Sequence, residues 1–228
     1  MFFIDRLKAL LAYLGVHLII GLIISLICLA VFGKIADSVM EQETLYNFDV
    51  ALANNLHDLG SSTTTDIFLF ISLFGQQLLW VLVAGIVLYY IVKRDWWRVG
   101  IWVYTLVGGE LMNRLVKEFF QRARPTFAEP FIIAQDFSFP SGHAMLSLIV
   151  YGMLAYTLCL HFRKPWQRIL IIFACALLVI LIGISRLYLG VHYFSDIVGG
   201  FAAGAVWLFT CITAAEVIRR KRYTVDPT

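Results

Sequence analysis

Six long apolar runs constrain this chain more than any other feature: residues 9–32, 67–92, 100–116, 144–162, 169–184 and 197–218. A helix needs about 20 apolar residues to cross the hydrocarbon of a bilayer. No water there satisfies a free amide, so a run of this kind has to close its own hydrogen bonds. The expected fold is therefore all-α, a polytopic membrane protein built as a six-transmembrane-helix bundle. The third and fifth runs are the short ones, interrupted or ended by polar groups. The first is too long for a signal-peptide core and no small-x-small cleavage site follows it, so it reads as a retained membrane helix.

Composition agrees with a surface that mostly meets lipid. The chain is 61% hydrophobic and 14% charged, with mean hydropathy +0.82, against about 25% charged residues in a soluble domain. Its 228 residues contain no linker, repeat or low-complexity tract, and 1–228 reads as one membrane-embedded domain. A net charge of +3, dispersed along the chain, gives no footprint for nucleic acid. Cys28, Cys159, Cys175 and Cys211 all lie inside apolar runs without a C-x-x-C pair, and read as packing thiols.

Lysine and arginine accumulate on the cytoplasmic side of membrane proteins. With the N-terminus inside, the inner segments hold Arg6, Lys8, Lys93, Arg94, Arg98, Arg163, Lys164, Arg168, Arg219, Arg220, Lys221 and Arg222. The outer ones hold only Lys34, Lys117, Arg122, Arg124 and Arg186, with Arg114 inside the third run. Both termini are therefore expected in the cytoplasm, in a cell (inner or plasma) membrane, with residues 33–66, 117–143 and 185–196 outside. Leu45, Phe48, Leu52 and Leu56 recur at helical spacing in the first outer segment. Two readings fit them: a helix lying on the membrane surface, or a helical cap packed on the loops.

The remaining polar residues are those that hydrophobicity does not explain. Glu110, Arg114 and Lys117 share a helical face; the first two can pair, whereas Lys117 has no local partner. Arg124-Pro125 follows, then Phe139-Pro140-Ser141-Gly142-His143 at the start of the fourth run. Ser141 can cap that helix, and Gly142 lets backbone N–H groups approach a ligand at a helix N-terminus. Plain capping explains the same turn. Beyond the fifth run come Arg186, His192 and Asp196. The last two are four apart, so they share a face if the sixth helix has begun by then. A carboxylate one turn from an imidazole can take its N–H and stabilise the cation formed when the ring reacts.

A metal site would use His143, His192 and Asp196 and would add carboxylates to neutralise the ion. The additional groups here are Lys117, Arg124 and Arg186, which repel a cation and suit a phosphoryl group. No metal and no cofactor are expected.

The linked pattern Lys117-x6-Arg124-Pro125, Pro140-Ser141-Gly142-His143 and Ser185-Arg186-x5-His192-x3-Asp196 resembles the three-part signature of the type-2 phosphatidic-acid phosphatase superfamily. The resemblance implies a membrane lipid phosphatase with His192 as nucleophile, Asp196 orienting it, and His143 as general acid and then base. It also implies that Lys117, Arg124, Arg186 and the Ser141–Gly142 backbone hold the phosphoryl oxygens. Within that superfamily undecaprenyl-pyrophosphate phosphatases often carry Ser-Asp-His in the second motif, so Gly142 favours a phosphatidylglycerophosphate or phosphatidate phosphatase. Phe127, Phe131, Phe137, Tyr188, Tyr193 and Phe194 either border a lipid path or belong to the interfacial aromatic belt.

Alternatives to hydrolysis of a lipid phosphate are lipid-to-lipid phosphotransfer, turnover of a soluble phosphate ester, and anion transport. Transport sites lie near the midplane, whereas these motifs lie at helix ends. Gly200-x3-Gly204 is a close-approach pattern, for packing within the bundle or for dimerisation; the oligomeric state is open.

Overall fold

The apolar runs close their own backbone hydrogen bonds, as lipid requires. The computed structural model describes residues 2–41 and 44–225. The described residues form eight helices: α1 (Phe2–Glu41), α2 (Thr44–Asp58), α3 (Ser62–Leu73), α4 (Gln77–Val92), α5 (Trp96–Phe120), α6 (Gly142–His161), α7 (Pro165–Tyr188) and α8 (Phe194–Val225). Among the described residues there is no strand, and the fold class is all-α. The side chains of Arg6, Lys8, Arg220, Lys221 and Arg222, counted above for orientation, lie outside the described residues.

Among the described residues, five segments are long and apolar enough to cross a membrane: Ile19–Glu41, Ser62–Val92, Gly142–His161, Pro165–Tyr188 and Phe194–Arg219. Helix α5, the third expected span, has 25 residues, enough to cross. It falls short on composition because it carries Glu110, Arg114, Lys117 and Glu118. It packs against α4, α6 and α8 as the sixth member of the bundle. Large apolar side chains on the outer faces stay uncovered, among them Ile27, Val81, Leu115, Ile169 and Phe173. A soluble protein would bury such a belt.

Three boundaries differ from the sequence reading. Helix α1 runs on to Glu41, with one break at Gly15 (φ 73, ψ 163), so the first loop is shorter than 33–66. The second span is interrupted: α3 stops at Leu73, residues 74–76 form a turn, and α4 starts at Gln77. Gly75 sits in that turn because a Cβ there would come 2.7 Å from Ile182 Cγ2 and 2.8 Å from His143 Cδ2. The Tyr151 hydroxyl donates to the freed carbonyl of Phe74 at 2.8 Å. The last helix starts at Phe194, after His192 rather than before it.

Helix α6 is the axis of the bundle, with Ala144, Met145, Ile149 and Val150 fully buried and contacts to α4, α5, α7 and α8. The Gly200-x3-Gly204 pattern is used here. A Cβ on Gly200 would lie 2.7 Å from the Ser141 carbonyl, and one on Gly204 2.9 Å from that of Met145. Small residues thus bring α8 against the start of α6, which carries the second motif.

Helix α2 packs on α7 and α8, as a cap rather than a helix lying free on the membrane surface. Its inner face is Asp49, Leu52, Ala53 and Leu56, while Phe48 points outward. The cap also clamps the loop between α5 and α6. His57 stacks on Phe127 (4.1 Å between centroids) and lies 4.6 Å from Phe131.

Candidate active site

Three helix ends and two loops bring their charged and imidazole side chains to one cavity of about 480 Å³. Lys117 comes from the last turn of α5, His143 from the first turn of α6 and Arg186 from the last turn of α7. Arg124 and His192 come from the loops that follow α5 and α7. Gln121 ends α5 in a left-handed conformation (φ 45) and turns the chain into the loop carrying Arg124. Gly142 also lines the cavity; a Cβ there would meet Asn113 Oδ1 at 3.0 Å, so a larger residue would need Asn113 to yield.

Ser141 stands behind the cavity. It is fully buried; its hydroxyl accepts from Ala144 N at 3.4 Å, and its own N–H donates to Asp196 O at 2.9 Å. It caps α6 and ties that helix to α8, leaving Gly142 and His143 to present the helix N-terminus to the cavity.

Arg186 is buried, and its Nη1 donates to Ser72 Oγ at 2.6 Å. Its Nε has no hydrogen-bond partner, and among the described residues no carboxylate pairs with it. A buried guanidinium without an anion is costly, so the arrangement calls for an anionic ligand. Glu110 and Arg114 at the cavity edge pair with each other at 2.6 Å, as their spacing implied.

Lys117 has no partner on its own helix among the described residues. Its partner is supplied from far along the chain: Asp136, whose Oδ2 lies 2.7 Å from Lys117 Nζ. Asp136 Oδ1 lies 2.5 Å from Arg124 Nη2. The two cations are nearly buried, at 8% and 12% side-chain exposure, whereas the Asp136 side chain is 62% exposed. Partial burial alone would raise the Asp136 carboxyl, but Lys117 and Arg124 outweigh it and hold the group down at about 2.

His192 and Asp196 meet through a turn rather than along a helix face. Asp196 lies in the first turn of α8, and its Oδ2 accepts from Tyr193 N at 2.8 Å. That same oxygen accepts the Ser138 hydroxyl in a very short contact and stands 3.5 Å from His192 Nδ1. On the other side of the ring, Arg124 Nη1 lies 3.2 Å from His192 Nε2. A guanidinium has only protons to offer, so Nε2 must accept and Nδ1 carries the hydrogen; Nδ1 is buried and makes no hydrogen bond, and the carboxylate beside it is Asp196. His192 is 2% exposed. Burial first, then Arg124, Arg186 and Lys117, hold its pKa well below the ordinary imidazole value. The ring is neutral, with its lone pair on the cavity side.

Sequence reasoning missed a buried ionic network behind Asp196. Arg122 Nη1 lies 2.5 Å from Asp196 Oδ1, and its Nη2 lies 2.9 Å from Asp49 Oδ2. Asp49, fully buried, also accepts from Ser195 N at 3.1 Å and from the Ser195 hydroxyl. Burial alone would lower the Arg122 pKa, but Asp196 and Asp49 raise it instead. Asp49 had one legible signal. It interrupts the stripe Leu45, Leu52, Leu56 at helical spacing, and an acid on an apolar face needs a buried partner.

Several of the aromatic side chains that the sequence leaves between a lipid path and the interfacial belt pack on the loops. Phe131 stacks on Tyr188 (5.7 Å, 10°), and Tyr193 packs under Arg122 (4.4 Å). The apolar wall of the cavity is Leu69, Leu73, Trp80, Ile132, Ile133 and Leu146. Among the described residues no group of three or more His, Cys, Asp or Glu is placed to hold a metal ion.

Residues 98–220, more than half of the chain, match the PAP2 superfamily. The chain belongs to the PAP2 superfamily. It is 41% identical over 114 residues to phosphatidylglycerophosphatase B of Bacillus subtilis, a match covering 49% of this chain and 55% of that one. The chain thus spans about half the length of that relative. It is 30% identical over 176 residues to a lipid A 4'-phosphatase of Bacteroides thetaiotaomicron, covering 69% of this chain and 75% of the relative. An undecaprenyl-diphosphatase of Sulfolobus acidocaldarius is also 30% identical over 176 residues, covering 74% and 77%. The crystal structure of a transmembrane PAP2-type phosphatidylglycerolphosphate phosphatase from Bacillus subtilis superposes with TM-score 0.74 at 27% identity, covering 83% of this chain and 96% of that one. Within this PAP2 chain, α2 and Asp49 fall outside the matched residues.

Proposed function

We propose that this chain is a membrane lipid phosphatase, a single domain hydrolysing a phosphomonoester or pyrophosphate of a lipid without a metal. The substrate class follows from the relatives, which are named for phosphatidylglycerophosphate, lipid A and undecaprenyl diphosphate. The cavity supports it chemically: a cationic floor meets a wall of Leu69, Leu73, Trp80 and Ile132, so an anionic head and an apolar tail find complementary surfaces. Gly142 in the second motif favours a glycerophospholipid phosphate over the prenyl pyrophosphate.

His192 Nε2 attacks phosphorus, forming an N–P bond as the P–O bond to the lipid breaks. His143 delivers a proton to the leaving oxygen, then removes one from the water that attacks the phosphohistidine and frees inorganic phosphate. Asp196 holds the His192 Nδ1 hydrogen. Lys117, Arg124 and Arg186, with the α6 N-terminus at Gly142, hold the phosphoryl oxygens and their developing charge. Ser141 fixes that N-terminus. Arg124 releases His192 Nε2 when it turns to the phosphate, which couples binding to exposure of the nucleophile.

One observation carries this reading: Arg186 is buried in the cavity that His192 also lines, with an unpartnered Nε and no carboxylate partner among the described residues. The deciding experiment presents a panel of purified lipid phosphates and soluble phosphate esters in detergent with EDTA and measures free phosphate. Release from the lipids, without an acceptor lipid, is expected. Turnover confined to soluble esters, dependence on an acceptor, or loss of all turnover in EDTA would each overturn it.

The lysine and arginine distribution supports a site opening on the periplasmic or extracellular side with both termini cytoplasmic. A Glu129→Cys variant should react with an impermeant thiol reagent added to intact cells. Labelling only after lysis would reverse the orientation.

A further inference from the structure

Asp196 is held by Arg122, Ser138 and the Tyr193 N–H, and a second carboxylate stands behind it, contributed by the cap helix α2. Two buried carboxylates, Asp49 and Asp196, share one guanidinium, Arg122, at 2.9 and 2.5 Å. Both carboxylates are fully buried, and Arg122 is 10% exposed. One positive and two negative charges leave one negative charge unbalanced. Arg122 takes Oδ1, while Oδ2 accepts from Tyr193 N and the Ser138 hydroxyl and lies 3.5 Å from His192 Nδ1.

We propose that Asp49 is a positioning residue for the reaction, acting through Arg122 and Asp196 to keep a net negative charge opposite the His192 ring. The inference rests on the phosphohistidine reading above. When Nε2 bonds to phosphorus, the lipid oxygen leaves with the P–O electron pair and takes a proton from His143. Nδ1 keeps its hydrogen, so the imidazole ring becomes cationic. A neutral Arg122–Asp196 pair would offer that ring no net counter-charge. Asp49 neutralises Arg122 and leaves Asp196 free to do so, in a water-poor setting where one charge counts for more. The residue comes from a helix outside the part of the chain that matches the superfamily, so the relay adds to its three motifs.

A purely anchoring role makes a different prediction. Asparagine at position 49 keeps an oxygen that can accept from Ser195 N, so if Asp49 only docked α2, Asp49→Asn would leave chemistry intact. The test measures lipid phosphate hydrolysis by the full-length protein in detergent, together with competitive inhibition by orthophosphate. The latter reads the cradle of Lys117, Arg124 and Arg186. Asp49→Asn should lower kcat by about tenfold, the size of one close charge interaction. The orthophosphate inhibition constant should stay within about twofold and Asp49→Glu, which keeps the charge, should remain within about threefold of wild-type kcat. If Asp49→Asn does not fold, Asp49→Glu carries the test by the same criterion. Wild-type kcat in Asp49→Asn, or a Glu variant as slow as Asn, overturns the relay while leaving the phosphatase reading intact. A wild-type protein that releases no phosphate from any lipid overturns both.

Discussion

The Asp136 carboxylate stands 2.7 Å from Lys117 Nζ and, through its other oxygen, 2.5 Å from Arg124 Nη2. A phosphoryl group would bring two oxygens to the same two donors. The resting site thus holds an anion of its own, borne on an exposed loop residue whose partners are buried.

Asp136 must leave those donors before a phosphate can take them. Asp136→Asn is therefore expected to tighten competitive inhibition by orthophosphate and lower KM by roughly two- to fivefold, the modest scale of a half-exposed ion pair. kcat should change little. Because the carboxyl is held at about 2, the contact persists above the ordinary carboxylate range and is lost only as pH falls through about 2. The wild-type and Asn variants should then differ by a constant factor from pH 5 to 8 (roughly the range over which such proteins are stable). Weaker phosphate binding in Asp136→Asn would show that Asp136 supports the cradle rather than competing with it.

Arg186 trades stability for function. Its buried charge meets no carboxylate among the described residues, so an apolar replacement of similar length relieves a penalty. Arg186→Met should raise the thermal midpoint in detergent and lower kcat/KM by about a hundredfold or more, as for loss of one transition-state donor. Bound orthophosphate should stabilise the wild type much more than the variant. A lower midpoint for the variant in the absence of phosphate would mean that the Ser72 contact outweighs the desolvation cost.

The motif residues were legible because their chemistry has no other use at the end of an apolar helix. Lys117, Arg124, His143, Arg186 and His192 each cost free energy in or beside lipid, and five such residues in order are hard to explain as packing. The turn at residues 74–76 was not legible, because hydropathy stays high across Phe74 and Gly75 and the neighbours that leave no room for a Cβ on Gly75, His143 and Ile182, come from far along the chain. Helix α5 was legible as a span by length but marginal by composition, since the charges of the first motif interrupt it. Asp136 and Arg122 read as ordinary loop polarity. Their roles come from partners 19 and 74 residues away, and one sequence without an alignment carries no trace of such pairings.

Depression of the His192 pKa fixes two signs. Burial is the first cause, and Arg124, Arg186 and Lys117 add to it; Asp136 opposes them. His143 and Asp196 also face the site. The nucleophile needs the neutral ring, so the acid limb of kcat/KM should lie below the ordinary value of 6.5. Stability runs the other way. The unfolded chain takes up a proton near pH 6.5 that the folded ring refuses, so stability falls as pH drops below that value. Thermal midpoints in detergent across pH 4 to 7 (about the range set by those values) should fall more steeply for wild type than for His192→Gln. Parallel curves would place the acid sensitivity elsewhere.

Gly200 ties the fold to the site most directly. A Cβ there would lie 2.7 Å from the Ser141 carbonyl oxygen and 3.2 Å from Ala144 Cβ; the first of these is backbone and cannot swing aside. The start of α8 would have to withdraw from the start of α6. That movement pulls on the bond from Ser141 N to Asp196 O, and with it on the distance from Asp196 to His192. Gly200→Ala should cost about 2 kcal/mol of stability, typical of overpacking a tight interface. It should also lower kcat by about tenfold with a smaller rise in KM, because Lys117, Arg124 and Arg186 come from α5, α7 and the loop, and of the groups holding the phosphate only the α6 N-terminus borders α8. An alanine variant with normal kcat would show that α6 and α8 can separate without disturbing the catalytic pair.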